Sequence, residues 1–419
     1  MGHKGELGMK NVHIDTDQGE INGSIDPKFQ RVLDVFVDNF VSKNEVGASC
    51  ALTIEGNLVA ELWGGKRAVN GDSWDRDTVC TVFSATKGAV ALCAHILADR
   101  DRLDLDAPIS KYWPEFGCKG KESATVKMAL DHTLGVPHVR GALKEGAFYD
   151  YDYMVEQVAD EEAFWEPGTR GGYHAITMAW TVGEIIHRAS GVRLGDFFQK
   201  QVAEPLGLDF WIGAPSSVDS RISPMIAAEP DEAWMNTRFV QTALAGGETP
   251  THLFLRDFPL MDPNKTECHR AEIGSAGGIT NGLGLALMYE PLAMGGKTSS
   301  HSLLSPDAVQ NMSRVSAASH EDATLLIPTR FSQGFMKTID NRAREDAVNS
   351  SLIISDAAFG HVGAGGSVGF ADPDCAMSFG YAMNRMGTGI LMNERGQNLI
   401  DAVYESLSYR GDKSGAWSK

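Results

Sequence analysis

The chain has no run of eighteen apolar residues, no C-x-x-C pair, no H-E-x-x-H pair and no basic stripe. The first absence excludes a transmembrane helix, which needs about twenty such residues. Six cysteines among 419 residues (Cys50, Cys80, Cys93, Cys118, Cys268 and Cys375) stand far apart. At that spacing they read as free, mostly buried thiols in a reducing compartment. Histidines are not at metal-ligand spacing, so a zinc hydrolase is not expected. The acidic run Asp99, Asp101, Asp104, Asp106 lacks the glycine and closing glutamate of a calcium loop. No metal and no organic cofactor is expected. The net charge of -18 repels nucleic acid and anionic lipid, so neither is an expected partner. The polar start, MGHKGELGMK, is followed by no apolar signal core, which makes the cytoplasm the expected location. Repeats and low-complexity tracts are also missing.

What remains is an ordinary globular composition, 43% hydrophobic and 22% charged, in a chain long enough to bury a large core without staples. Residues 27–43 carry apolar side chains at helical spacing. Residues 46–65 form two short apolar runs around Glu55-Gly56-Asn57, a hairpin signal. Residues 85–98 are apolar nearly all round, as in a helix buried on most faces. From 125 to 330 the chain reads as helical pieces, including 176–189 and 194–204, broken by Gly and Pro loops. Strands return at 333–339, 366–371 and 376–383, the last two separated by a turn at Asp372-Pro373-Asp374. An amphipathic helix covers 393–408. Strands near both ends and helices between them predict an α+β fold, with one antiparallel sheet built from both chain ends, flanked by helices, and a helical subdomain inserted. The expected division is an N-terminal extension (1–25), a sheet domain (26–83 with 331–412), a mainly helical subdomain (84–330) and a tail (413–419).

Ser84-Ala85-Thr86-Lys87 opens the buried helix. Positions three apart share a helix face, so the Ser84 hydroxyl and the Lys87 amine sit side by side. A serine is a weak nucleophile without an adjacent base, and a desolvated lysine supplies one. The helix N-terminus adds N–H groups suited to a developing oxyanion. The same four residues also fit a plain N-cap serine with a solvated lysine one turn on. A rival nucleophile is Ser367, inside Gly365-Gly366-Ser367-Val368-Gly369. That G-x-S-x-G elbow must open a helix, whereas Val368-Gly369-Phe370-Ala371 continues as strand. Trp211, Trp234 and Phe254 are either acyl-pocket candidates or plain core.

Three stretches in order carry a resemblance. Ser84-Ala85-Thr86-Lys87 resembles the first motif of the serine β-lactamase and penicillin-binding protein superfamily. Glu166 to Ala175, with Tyr173, is similar to the P-G-x-x-x-x-Y segment of class C β-lactamases and their esterase relatives. Gly360-His361-Val362-Gly363-Ala364-Gly365-Gly366 is similar to the third motif in its H-x-G form. Weaker likenesses at 111–116, 131–137 and 275–280 extend the match from about 28 to 408, and the chain looks most like the family VIII carboxylesterases. The resemblance implies the β-lactamase/DD-peptidase fold. It implies Ser84 as the acylated nucleophile, Lys87 as its proton partner and Tyr173 as a base held near phenolate by cations. It also implies an oxyanion hole from the N–H groups of Ser84 and Ala364, and substrate binding by His361, Gly363, Gly365 and Gly366.

Two departures steer the expected substrate. Ala175 stands where class C β-lactamases carry an asparagine amide, and His361 replaces the lysine of K-T-G. Losing a buried amide donor weakens binding of an amide-bearing acyl group. The expected reaction is hydrolysis of small, short-chain esters. A β-lactamase or D-Ala-D-Ala peptidase, an acyltransferase on the same site and a non-catalytic scaffold are the alternatives, and monomer and homodimer both stay open.

Overall fold

Seven strands form the main sheet of the computed structural model, which describes residues 8–411 and 413–419. They are β1 (Lys10–Thr16), β2 (Gly19–Ile25), β3 (Gly47–Ile54), β4 (Asn57–Gly65), β5 (Phe359–Val362), β6 (Val368–Asp372) and β7 (Met377–Met383). The spatial order is β1-β2-β4-β3-β7-β6-β5, every neighbour antiparallel. The expected hairpin closes between β3 and β4, where Glu55 and Gly56 both take positive φ, 51° and 71°. That pair of left-handed residues is what a tight two-residue turn requires. The sheet's centre joins the chain ends: β3 pairs with β7, and Thr53 Oγ1 lies 2.6 Å from Ser378 Oγ across 325 residues of sequence.

Side chains alternate between the two sheet faces. On β6, Phe370 packs toward Tyr404 of a terminal helix, while a side chain at Gly369 would collide with Tyr289 on the other face. Helices α1 (Gln30–Ser42) and α5 (Glu394–Ser406) cover the first face; α4 (Gly282–Ala293) covers the second. The close approach of α4 needs Gly380, because a Cβ there would stand 2.1 Å from the Gly282 carbonyl oxygen. Helix α2 (Thr86–Asp99) is buried from Thr86 to Leu97 on every face, as its uniformly apolar sequence predicts. It packs on α3 (Met178–Ser190) in the helical half.

Four expectations are redrawn. Residues 10–25, read as an extension, supply β1 and β2 of the sheet. The expected strand at 333–339 is two isolated bridging residues, Met336, which exchanges hydrogen bonds with Gly360 (2.7 and 3.1 Å), and Ile339, which exchanges them with Leu352 (2.9 and 3.0 Å); Gly334, at φ 98°, bends the chain first. Helix α4 falls inside the stretch read as helical subdomain but belongs to the sheet. Residues 413–419 are more than a tail: Trp417 is buried against Tyr404 and donates its N–H to Ile354. The first seven residues of the polar N-terminal stretch, and Asp412 at the expected domain edge, lie outside the described residues. Among the described residues no helix is long and apolar enough to cross a membrane. The six cysteines are free, four of them buried.

Candidate active site

Two buried clusters meet along a seam, one centred on α2 and the helical half, the other on the sheet with α1 and α5. Phe83 belongs to the first cluster and Tyr173 to the second, and Ser84 lies between them. A short strand at Cys80–Thr81 pairs with Gly278–Thr280 and delivers the chain to a single 3-10 turn, Phe83–Ala85, ahead of α2. Phe83 takes φ 46°, a conformation unusual for a bulky residue and of the kind that clusters at functional turns. Three bonds hold it. Val82 N donates to Gly278 O (2.9 Å), Thr86 Oγ1 donates to Phe83 O (2.6 Å), and Gly278 N donates to Thr86 Oγ1 (2.9 Å).

Lys87 is fully buried. Its Nζ lies 2.7 Å from Ala175 O, 2.9 Å from Ser275 O and 3.2 Å from Ser84 Oγ. Burial drives its pKa well below the usual lysine range, so the amine is biased toward its neutral form. A neutral amine has two hydrogens and one lone pair. The two carbonyls take two hydrogens, which leaves the third direction of Nζ on the Ser84 hydroxyl. The Tyr173 ring stands 4.8 Å from Nζ. Burial pushes the Tyr173 phenol upward, against the lowering effect of its hydrogen bond with Ser84 and with Asp322 nearby raising it further. Burial thus opposes a resting phenolate, and only the Ser84 hydrogen bond works for one.

The surrounding rings are neutral as well. His361 is buried, its Nδ1 2.7 Å from Val362 O, and burial together with Lys87 lowers its pKa to about 3. The third-motif position thus contributes no cation. His174 accepts from Val136 N (3.0 Å) through Nε2 and donates through Nδ1 to Gly172 O (2.7 Å); burial takes it to about 3. His132 accepts the His174 N–H (3.1 Å), lies 4.8 Å from the Tyr173 ring, and is held well below its ordinary value by burial.

The backbone N–H groups of Ser84 and Ala364 have no acceptor among the described residues. Gly363, Ala364 and Gly365 border the same cavity as Ser84 and Tyr173. Gly366 and His361 do not. Gly366 faces the Asn393 side chain, and Asn393 Nδ2 donates to Gly365 O (2.7 Å), which pins the turn. Trp234 and Phe254 also line the cavity, whereas Trp211 packs in a separate small cluster.

Ser367 is buried, and its Oγ donates to Val82 O at 2.7 Å. It clamps the turn that presents Ser84, and no helix follows it. Ser367→Ala removes this bond, but Val82 O still accepts from Ala85 N (3.2 Å), so the cost is about 0.5–1.5 kcal/mol of stability. The expected result is a folded protein with at most a roughly tenfold loss of kcat, read from steady-state kinetics and a thermal melt. Another residue with no motif of its own is Asp322. Its buried carboxylate accepts from the N–H groups of Tyr173, Thr324 and Leu325, each at 2.9 Å, and so fixes the Tyr173 backbone.

The beta-lactamase family model matches residues 29–403. The chain is 29% identical over 401 residues to Esterase/beta-lactamase LipL of Mycobacterium tuberculosis, covering 91% of this chain and 87% of that protein. The crystal structure of a family VIII carboxylesterase superposes with a TM-score of 0.81 at 33% identity, covering 92% of this chain and 99% of that one. A penicillin-binding protein homolog from Caulobacter crescentus gives a TM-score of 0.82 at 31% identity, again over 92% and 99%.

Proposed function

Since the chain belongs to the beta-lactamase family, we propose that it is a serine carboxylesterase that hydrolyses small esters through an acyl-enzyme on Ser84. The observation that carries this reading is the contact of the buried Lys87 Nζ with Ser84 Oγ at 3.2 Å, with the carbonyls of Ala175 and Ser275 holding the same Nζ at 2.7 and 2.9 Å. Lys87 takes the hydroxyl proton as Oγ attacks the ester carbonyl. The ammonium that forms is already surrounded by the carbonyls of Ala175 and Ser275. The oxyanion receives the N–H groups of Ser84 and Ala364. Tyr173, a neutral phenol hydrogen-bonded to Ser84, passes the proton from Lys87 to the departing alcohol. Water then attacks the acyl-enzyme by the reverse path.

Two features favour an ester over a β-lactam or a D-Ala-D-Ala peptide. Ala175 offers no side-chain amide. The cavity presents no Lys or Arg to a substrate carboxylate, and the neighbouring histidines are neutral.

A fluorophosphonate probe followed by peptide mapping tests the nucleophile, and the adduct is expected on the peptide that contains Ser84. Lys87→Met tests the base. It keeps the length and apolar stem but removes the lone pair, and kcat should fall by about a thousandfold with little change in KM. The wild-type rate should also decline as acid protonates Lys87, with the midpoint well below the usual lysine range. A Lys87→Met variant retaining wild-type kcat would move the base elsewhere.

A further inference from the structure

The cavity at Ser84 holds about 380 Å³, far more than an acetyl group fills. Taking the ~30 Å³ share of one liquid water as the size of a non-hydrogen group, that space takes about a dozen of them. Trp234, Phe239, Phe254 and Phe258 make a continuous wall, their ring centroids 6.0, 6.3 and 5.8 Å apart in sequence. The wall comes from short helices at 232–235, 238–244 and 250–257 and the 3-10 turn at 258–260. Ile390 and Met261 line the same space. No Asp, Glu, Lys, Arg, Asn or Gln lines the cavity. Arg256, on the same helix as Phe254, is already committed to Asp257 and to the carbonyls of Val139, Arg140 and Gly141. The apolar surface continues to the rim, where Leu255 and Phe258 are each 38% exposed.

We propose that this cavity selects neutral esters carrying an apolar arm of roughly six to eight carbons, the size its volume allows, and rejects esters whose arm ends in a carboxylate. The inference rests on the Ser84 reading above and extends its short-chain substrates to longer ones. Each methylene buried against the wall leaves water, a gain equivalent to about a three- to fourfold rise in kcat/KM. A carboxylate arriving there meets no cation, only the Ser84, Tyr173 and Thr388 hydroxyls and the His138 ring, and loses most of its hydration.

The test measures kcat/KM for two neutral series. One lengthens the acyl chain of p-nitrophenyl esters from acetate to octanoate; the other lengthens the alcohol of acetate esters. A climb of about three- to fourfold per carbon up to six carbons is expected in one series, and that series identifies which arm the cavity holds. The p-nitrophenyl monoester of glutaric acid should run at least about a hundredfold below neutral pentanoate. Phe254→Ala should lower the ratio of hexanoate to acetate turnover by about tenfold, with a melt to verify folding; the wild-type series needs no variant. Flat rates in both series, or equal rates on the anionic and neutral esters, would overturn the proposal while leaving Ser84 as nucleophile. No turnover of any ester, together with no probe adduct at Ser84, would instead remove the reading beneath it.

Discussion

Ser84→Ala is expected to lower kcat/KM for p-nitrophenyl esters by about ten-thousandfold or more and to abolish labelling by a fluorophosphonate. Removing the nucleophile of a cooperating set costs nearly everything the set contributes, leaving what the oxyanion donors and binding supply. The fold should survive. Ser84 is half-buried, and Lys87 keeps both carbonyl partners when the hydroxyl is gone. The Phe83 turn stays clamped by Ser367 and Thr86. A thermal midpoint within a few degrees of wild type, alongside the lost rate, separates chemistry from collapse. The paired Ser367→Ala variant sharpens the result, because both serines touch the same turn and only one faces the cavity. A Ser84→Ala enzyme that still turns over esters would discard the mechanism.

The second large effect is acid lability. His95, His132, His174 and His361 are all buried and all held below the ordinary histidine value by desolvation, to about 4 for His95 and about 3 for His174 and His361. Below about pH 6.5 the unfolded chain takes up protons on these rings and the folded chain does not. More protons bound in the unfolded state means that stability rises with pH, so it falls as the solution is acidified from about 6.5 toward 4. Each ring contributes about 1.4 kcal/mol per pH unit in that window. Four together remove on the order of 5 kcal/mol per unit, comparable to a domain's whole stability. Denaturant midpoints should therefore drop steeply between pH 6.5 and 5. A midpoint that does not move would mean that the rings carry protons in the folded protein. His361→Gln, which cannot titrate, should flatten the slope.

Much of the architecture was legible in the residues, for reasons that can be named. Helix α2 announces itself because every face is apolar, and the β3–β4 hairpin because Glu55-Gly56 sits between two apolar runs. Ser84 and Lys87 stand one helical turn apart, so their adjacency follows from spacing alone. What stayed hidden depends on long-range geometry. The β1–β2 hairpin carries polar residues on its open side and shows only a weak alternation. Ala175 and Ser275 reach Lys87 through carbonyl oxygens, which have no side-chain signature. Asp322 reaches Tyr173 across 149 residues, and nothing in its local sequence marks it. The charge state of Tyr173 is equally hidden, because it depends on burial and on Ser84, Lys87 and Asp322 around the ring, which arrive from separate stretches of the chain.

The pairing of β3 with β7 has a consequence for biosynthesis. A ribosome releases residues 47–54 long before residues 377–383 exist, so the middle of the sheet waits with an open edge until translation is nearly finished. Joining segments so distant along the chain is slow by nature, and an unpaired apolar strand is a template for aggregation in the meantime. A stop codon anywhere before β7 would yield an aggregation-prone fragment, because β3 would never receive the partner that joins it to the rest of the sheet.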